Sequence, residues 1–154
     1  MSQQVLAKNS ENEKCFRKNR ETKKKLRKIW KVMQESVDRG LIANGMLPGK
    51  INVERRAGTM YEKFLENQEV GANDYSDYVS ICAIAVNEEN ADMNRVVTAP
   101  TNGASGIIPA TMMYINEYIS DKPEDWETDF LLTAGAIAML YKIILELFCS
   151  YLVL

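Results

Sequence analysis

The chain contains no histidine and only three cysteines, Cys15, Cys82 and Cys149, with no Cys-x-x-Cys pair. A self-contained zinc site is therefore not expected, because the usual nitrogen and sulfur ligands are missing. Without histidine, Cys82 lacks the common activator of a thiol nucleophile. Lying within an apolar run, it reads as a small buried hydrophobe. Sparse, odd-numbered cysteines suggest a reducing compartment. The start, Met1-Ser-Gln-Gln-Val-Leu-Ala-Lys-Asn, has no apolar core for a secretory signal, so the expected location is cytoplasmic. An excess of positive charge is lacking too. The formal net charge of −2 argues against a dedicated nucleic-acid binder. Hydrophobic content of 46% and charged content of 26% fit an ordinary soluble protein, and 154 residues suffice for one core.

Strand alternation is also scarce, and the apolar residues recur at helical spacing instead. Residues 1–28 form a basic N-terminal segment. In its last fifteen positions, Lys14, Arg17, Lys18, Arg20, Lys23, Lys24, Lys25, Arg27 and Lys28 crowd against a single Glu21. Phe16 is the only aromatic in that run, so base stacking has no support, and a solvated helix face is the expected reading. Leu26, Ile29, Trp30, Met33 and Val37 share one helical face, with Gly40 as the expected stop. A connection punctuated by Gly45, Pro48 and Gly49 follows, in which Arg55-Arg56 can pair with a carboxylate or with nearby Glu. A second helix is expected over Thr59–Asn67, with Met60, Phe64 and Leu65 apolar, before Val70-Gly-Ala-Asn-Asp breaks it. Tyr75–Asn87 reads as a buried helix, Ile107–Ile119 as another, and Phe130–Lys142 as a small-residue helix after an acidic turn holding Pro123. The fold class is all-α.

The most informative stretch runs from Asn87 to Ala110. The polar patch Asn87-Glu88-Glu89-Asn90 follows the apolar run Ile81–Val86. Val96-Val97-Thr98 then leads into a loop that packs two Thr, one Asn, one Ser and two Gly into the nine residues from Thr98. Such a loop turns tightly and offers hydroxyls, an amide and bare backbone to a ligand. A helix beginning near Ser105 would aim its free N–H groups at that loop, an arrangement that favours a carboxylate. Pro109 would then lie in its first turn, where no N–H is needed. Glu88 and Glu89 are weaker site candidates, since acids so placed more often meet water or arginine.

The order of these residues carries more than their type. Val96-Val-Thr-Ala-Pro-Thr-Asn-Gly-Ala-Ser-Gly-Ile-Ile-Pro-Ala110, preceded by Ala85-Val-Asn-Glu-Glu-Asn-Ala91, closely resembles the catalytic-domain signature of the iron–sulfur L-serine dehydratases. Lys28-Ile-Trp-Lys-Val-Met33, Gly45-Met-Leu-Pro-Gly49, Val53-Glu-Arg-Arg-Ala57 and Thr133-Ala-Gly-Ala-Ile-Ala-Met-Leu-Tyr-Lys142 look like family segments in family order. The resemblance covers roughly residues 25–142, the first part of an all-helical catalytic domain. It implies deamination of L-serine to pyruvate and ammonia without pyridoxal phosphate. It also implies a [4Fe-4S] cluster, held by three cysteine thiolates, that acts as Lewis acid on the substrate hydroxyl. On this reading Thr98, Thr101, Asn102, Gly103 and Ser105 cradle the carboxylate and amine of the substrate.

Two departures accompany the resemblance. The family's cluster cysteines, in Gly-Cys-Gln-Gly-Glu and Thr-Cys-Asp-Pro-Val contexts after the Tyr-Lys segment, have no counterpart here, so no metal ligand is assigned. After Lys142 the chain turns into an apolar tail, residues 143–154, where the family runs small and polar. The sequence thus reads as a basic segment (1–28), a partial serine dehydratase domain (29–142) and an aberrant tail. The expectation is an internal piece of the family that is inactive alone, completed by a missing catalytic half or a homo-oligomer. Exposed apolar faces are expected on Tyr75–Val86 and Phe130–Leu154. The alternative from another class is a small helical interaction or membrane-associated protein using the basic helix and apolar tail. The 25 residues from Phe130 carry only Lys142 and Glu146 as charges, but that pair sits mid-span, so no membrane partner is expected.

Overall fold

The computed structural model describes residues 20–50, 52–69 and 75–152, with side chains described through Tyr141 except Glu69. Lys14, Cys15, Arg17, Lys18, the break at 70–74 and the side chain of Cys149 lie outside that set. The described residues form five helices and no strand: α1 (Arg20–Ile42), α2 (Ala57–Glu69), α3 (Tyr75–Ala91), α4 (Asn102–Tyr118) and α5 (Trp126–Leu152). The all-α expectation holds. An isolated bridge, Met46 to Glu54, closes the α1–α2 connection into a small loop. Two compact units result, one of residues 29–122 and one of 1–28 with 123–154.

In the unit of residues 29–122, Trp30, Met33, Val37 and Leu41 of α1 are buried at spacings of three and four, the stripe that a core-facing helix presents. Ile29, expected on that face, is 37% exposed. Gly40 does not stop the helix. A Cβ there would lie 2.5 Å from the Ala85 carbonyl oxygen, so this glycine lets α1 approach α3 closely. Helix α3 buries Tyr78, Ile81, Cys82, Ala83, Ala85 and Val86, which lie all around its axis rather than along one stripe. It is the central helix, packed chiefly on α4 and also on α2. The exposed apolar face expected on Tyr75–Val86 is therefore absent, apart from half-exposed Tyr75.

Helices α3 and α4 run antiparallel. Their N- and C-terminal ends meet through Tyr75, Tyr78, Tyr114 and Tyr118, with Tyr78–Tyr118 ring centroids 5.2 Å apart and edge-on. Tyr61 and Phe64 of α2 join the same cluster, Phe64 at 5.6 Å from Tyr78. Such tilted and edge-to-face contacts suit the aromatic quadrupole. Midway, a Cβ on Gly106 would lie 2.9 Å from the Ala83 carbonyl oxygen, so glycine is required where the two helices pass. Helix α4 starts at Asn102, earlier than expected, which puts Pro109 two turns inside it. There the ring is fully buried, and Pro109 cannot donate to the Ser105 carbonyl as a helical residue would.

In the unit of residues 1–28 and 123–154, part of the basic run is paired rather than simply solvated. Lys23 pairs with Asp125, and Arg27 reaches Asp125 at 2.7 Å and Glu127 at 2.9 Å. The hydrogen bond from Lys23 leads the effects that hold the Asp125 carboxyl below its ordinary pKa. The Asp125 carbonyl also accepts from Asp129 N at 3.1 Å, opening α5. The α5 backbone continues helically through the expected tail to Leu152, and Ile137, Met139 and Tyr141 are about half exposed. Among the described residues no helix is long and apolar enough to cross a membrane.

Candidate functional site

The polar end of the α3–α4 pair is built by three consecutive side chains. Helix α3 continues four residues beyond Asn87, carrying Glu88, Glu89 and Asn90 onto its last turn. Successive residues of a helix point about 100° apart, so the three fan out. Glu88 reaches α2, where its carboxylate accepts from Arg56 N at 2.9 Å and Ala57 N at 3.3 Å, capping that helix from a distance of some thirty residues. Glu89, 1% exposed, accepts from Arg55 Nη1 at 2.9 Å and Arg39 Nε at 3.0 Å. Asn90 reaches α4, donating through Nδ2 to Asn102 Oδ1 at 2.9 Å.

The end of α3 is itself fixed. Asn94 N donates to Glu89 O at 2.9 Å and Met93 N to Asn90 O at 3.2 Å, the paired bonds of a Schellman stop, with Met93 left-handed at φ 59°. Arg55 also holds Asp92 at 2.5 Å, and Arg39 Nη2 donates to Arg95 O at 2.6 Å. Burial pulls the Arg55 pKa down, but its hydrogen bonds to Asp92 and Glu89 outweigh this and hold it above the ordinary value. Two guanidinium groups thus face two carboxylates, which explains how Glu89 tolerates burial. Arg55 finds its carboxylates in Glu89 of α3 and in Asp92 just beyond its end, not in neighbouring Glu54. Arg39, Ile42, Asn44, Arg55, Asp92 and Asn94 line an open cleft of about 410 Å³ above this network.

The signature loop lands at the start of α4. Thr101 is the N-cap, and its Oγ1 accepts from Ala104 N at 3.1 Å. Ser105 is buried and donates to the Asn102 carbonyl at 2.6 Å, closing the turn from beneath. Thr98, Thr101, Asn102 and Gly103 are exposed. Thr101, Asn102, Gly103 and Ser105 are therefore gathered at one helix terminus, while Thr98 precedes the cap outside any helix or strand. Helix geometry leaves the N–H groups of Asn102 and Gly103 without intrahelical acceptors. Asn87 Oδ1 is buried without a partner beside Gly106, one turn from Asn90 on α3.

Cys82 is fully buried in the core. Burial pushes its thiol up to about 12 against the ordinary 9.0, even though its hydrogen bond with Tyr78 works in the opposite direction. Among the described residues no group of His, Cys, Asp or Glu could hold a metal ion.

The polar patch carries more of the site than its composition suggests. Asn90 is marked by the sequence only as part of the polar patch, and Arg39, Asp92 and Asn94 carry no site reading there. The available signal was the absence of any breaker between Val86 and Ala91. A buried helix that continues into acids must bring them partners.

A family model described as serine dehydratase alpha chain matches residues 1–147. The L-serine dehydratase of Streptomyces coelicolor is 46% identical over 132 residues, which is 86% of this chain and 29% of that protein. L-serine dehydratase 1 of Escherichia coli is 39% identical over 134 residues, covering 86% and 30%. The L-serine dehydratase of Helicobacter pylori is 36% identical over 119 residues, covering 75% and 26%. The chain thus spans less than a third of the length of these relatives. By the extent of the family match, joined to the loop at the head of α4, the chain belongs to the serine dehydratase alpha chain family.

Proposed function

We propose that this chain supplies the substrate-gripping part of an L-serine ammonia-lyase, with the head of α4 receiving the L-serine carboxylate. The reading rests above all on the exposed Thr101-Asn102-Gly103 turn at the N-terminus of a 17-residue helix. The unpaired first-turn N–H groups and the positive end of the helix dipole favour an anion there. Asn102 adds an amide, and Thr98 and Thr101 add hydroxyls for the carboxylate and amine. The Thr101 oxygen is engaged by Ala104 N, but its hydroxyl proton remains available to donate. Ser105 supports this surface through the Asn102 carbonyl. With the carboxylate held, the α-proton is exposed to a base, the β-hydroxyl leaves, and the resulting aminoacrylate tautomerises and hydrolyses to pyruvate and ammonia. The chain's contribution is positioning and charge complementarity.

The [4Fe-4S] cluster implied by the resemblance does not fit the described residues. Cys82, the lone thiol among the described side chains, is buried and held in its protonated form, far from the thiolate that iron requires. No step is derived through the cluster. On this reading the remaining length of the relatives, in the same polypeptide or in a neighbouring subunit, completes the active site in the cytoplasm.

The test is a graft. Residues 29–142 replace the matching segment of full-length Escherichia coli L-serine dehydratase 1, and pyruvate formation from L-serine is followed. Asn102→Ala should raise KM by about tenfold or more, the loss expected for a hydrogen bond to a charged group. An unchanged KM refutes the role of the loop.

A further inference from the structure

We propose that Asn90 is a positioning residue that decides which end of the Asn102 carboxamide meets the substrate. The inference rests on the reading above that Asn102 binds the L-serine carboxylate. A carboxamide has an acceptor end and a donor end. Asn90 Nδ2 donates to Asn102 Oδ1, so the oxygen of Asn102 is turned towards α3 and its NH₂ group is left to face the ligand. Together with the first-turn N–H groups of Asn102 and Gly103, this makes the head of α4 a surface of donors, which matches a carboxylate. The opposite orientation would set an acceptor against the carboxylate.

Asn90 can impose this orientation because its own place is fixed on both sides. Glu88 is tied to the start of α2, and Glu89 to Arg39 and Arg55. The Asn90 carbonyl takes Met93 N in the stop that ends α3. The side chain therefore projects from an anchored turn, while Asn102 is exposed on the first residue of its helix.

Two experiments on the full 154-residue chain test the proposal. The first needs no ligand. In side-chain amide NMR, one Asn90 Nδ2 proton should be protected from water exchange while both Asn102 protons exchange freely. The reverse pattern overturns the assignment. The second measures L-serine affinity. Asn90→Ala releases the Asn102 amide and should weaken Kd several-fold. Asn90→Asp keeps a hydrogen bond, but only by accepting from Asn102 Nδ2, which turns the Asn102 oxygen outward. It should therefore bind worse than Asn90→Ala, by about tenfold. If Asn90 were only a brace, Asp would bind as well as or better than Ala, and the proposal would fall. On an Asn102→Ala background, Asn90→Asp should add less than about twofold. A full effect there would assign the loss to the added charge and would also sink the proposal. Wild-type chain that ignores L-serine, or Asn102→Ala that binds it normally, would instead remove the underlying carboxylate reading, leaving the amide-exchange result to judge the orientation.

Discussion

The two ends of the α3–α4 pair are held by different physics. At one end six aromatic rings of α2, α3 and α4 pack by area and quadrupole, contacts that tolerate small shifts. At the other, Glu88, Glu89 and Asn90 make directional bonds to three separate segments, and little slack is allowed. The soft end contributes cohesion. The rigid end fixes where the signature loop sits, which is what a ligand-binding turn needs. Gly106 lies between them and serves both.

This contrast can be broken by experiment. Glu89→Ala leaves Arg55 buried with Asp92 as its remaining carboxylate partner, and should destabilise the chain by about 3–5 kcal/mol in chemical denaturation. Tyr78→Phe, at the soft end, removes one bond to the Cys82 sulfur and should cost under about 1.5 kcal/mol. A reversal of that order would contradict the assignment of rigid and soft ends. Next in size, Gly106→Ala forces a methyl against the Ala83 backbone, and about 1–3 kcal/mol of stability should be lost. Helix-backbone hydrogen exchange should then rise at both ends together, since the crossing is common to them.

The alkaline limb sharpens the picture of the core behind the soft end. The Cys82 thiol titrates near 12 in the folded chain and near 9.0 when exposed, so the folded state keeps a proton that the unfolded chain loses. Stability from this group is complete below about pH 9 and is lost as pH rises from 9 towards 12. Thermal melts of Cys82→Ala should show a flatter decline over that window than wild type. The smallest effect has the opposite sign. Met93 holds a left-handed conformation at the end of α3, so Met93→Gly should stabilise by about 1 kcal/mol. A loss of stability would mean that the methionine side chain, though exposed, supports the turn.

Much of this architecture was legible from residue spacing. The stripe of Trp30, Met33 and Val37 marked the inner face of α1, and the apolar run from Tyr75 marked the central helix. The signature loop before α4 was identifiable from its hydroxyl, amide and glycine content. What spacing could not convey was partnership across the chain. Gly40 looks like a helix stop unless it is known that Ala85 lies against it. Pro109 looks like a first-turn residue unless Thr101 is known to be the cap. Glu89 reads as an acid that meets water or arginine, and which arginines it meets is hidden because they are 34 and 50 positions away. Asn90 and Asn102 become partners only through the antiparallel register of α3 and α4, which periodicity within either helix does not specify.

On the proposed reading, the head of α4 receives the L-serine carboxylate. The most direct measurement is a backbone NMR titration of the full chain with L-serine and, in parallel, with serinol, which keeps the amine and hydroxyl but has no carboxylate. L-serine should shift the amides of Asn102, Gly103 and Ala104 in a saturable way, and serinol should leave them unmoved. Equal shifts with both compounds, or none at these residues with L-serine, would contradict that reading.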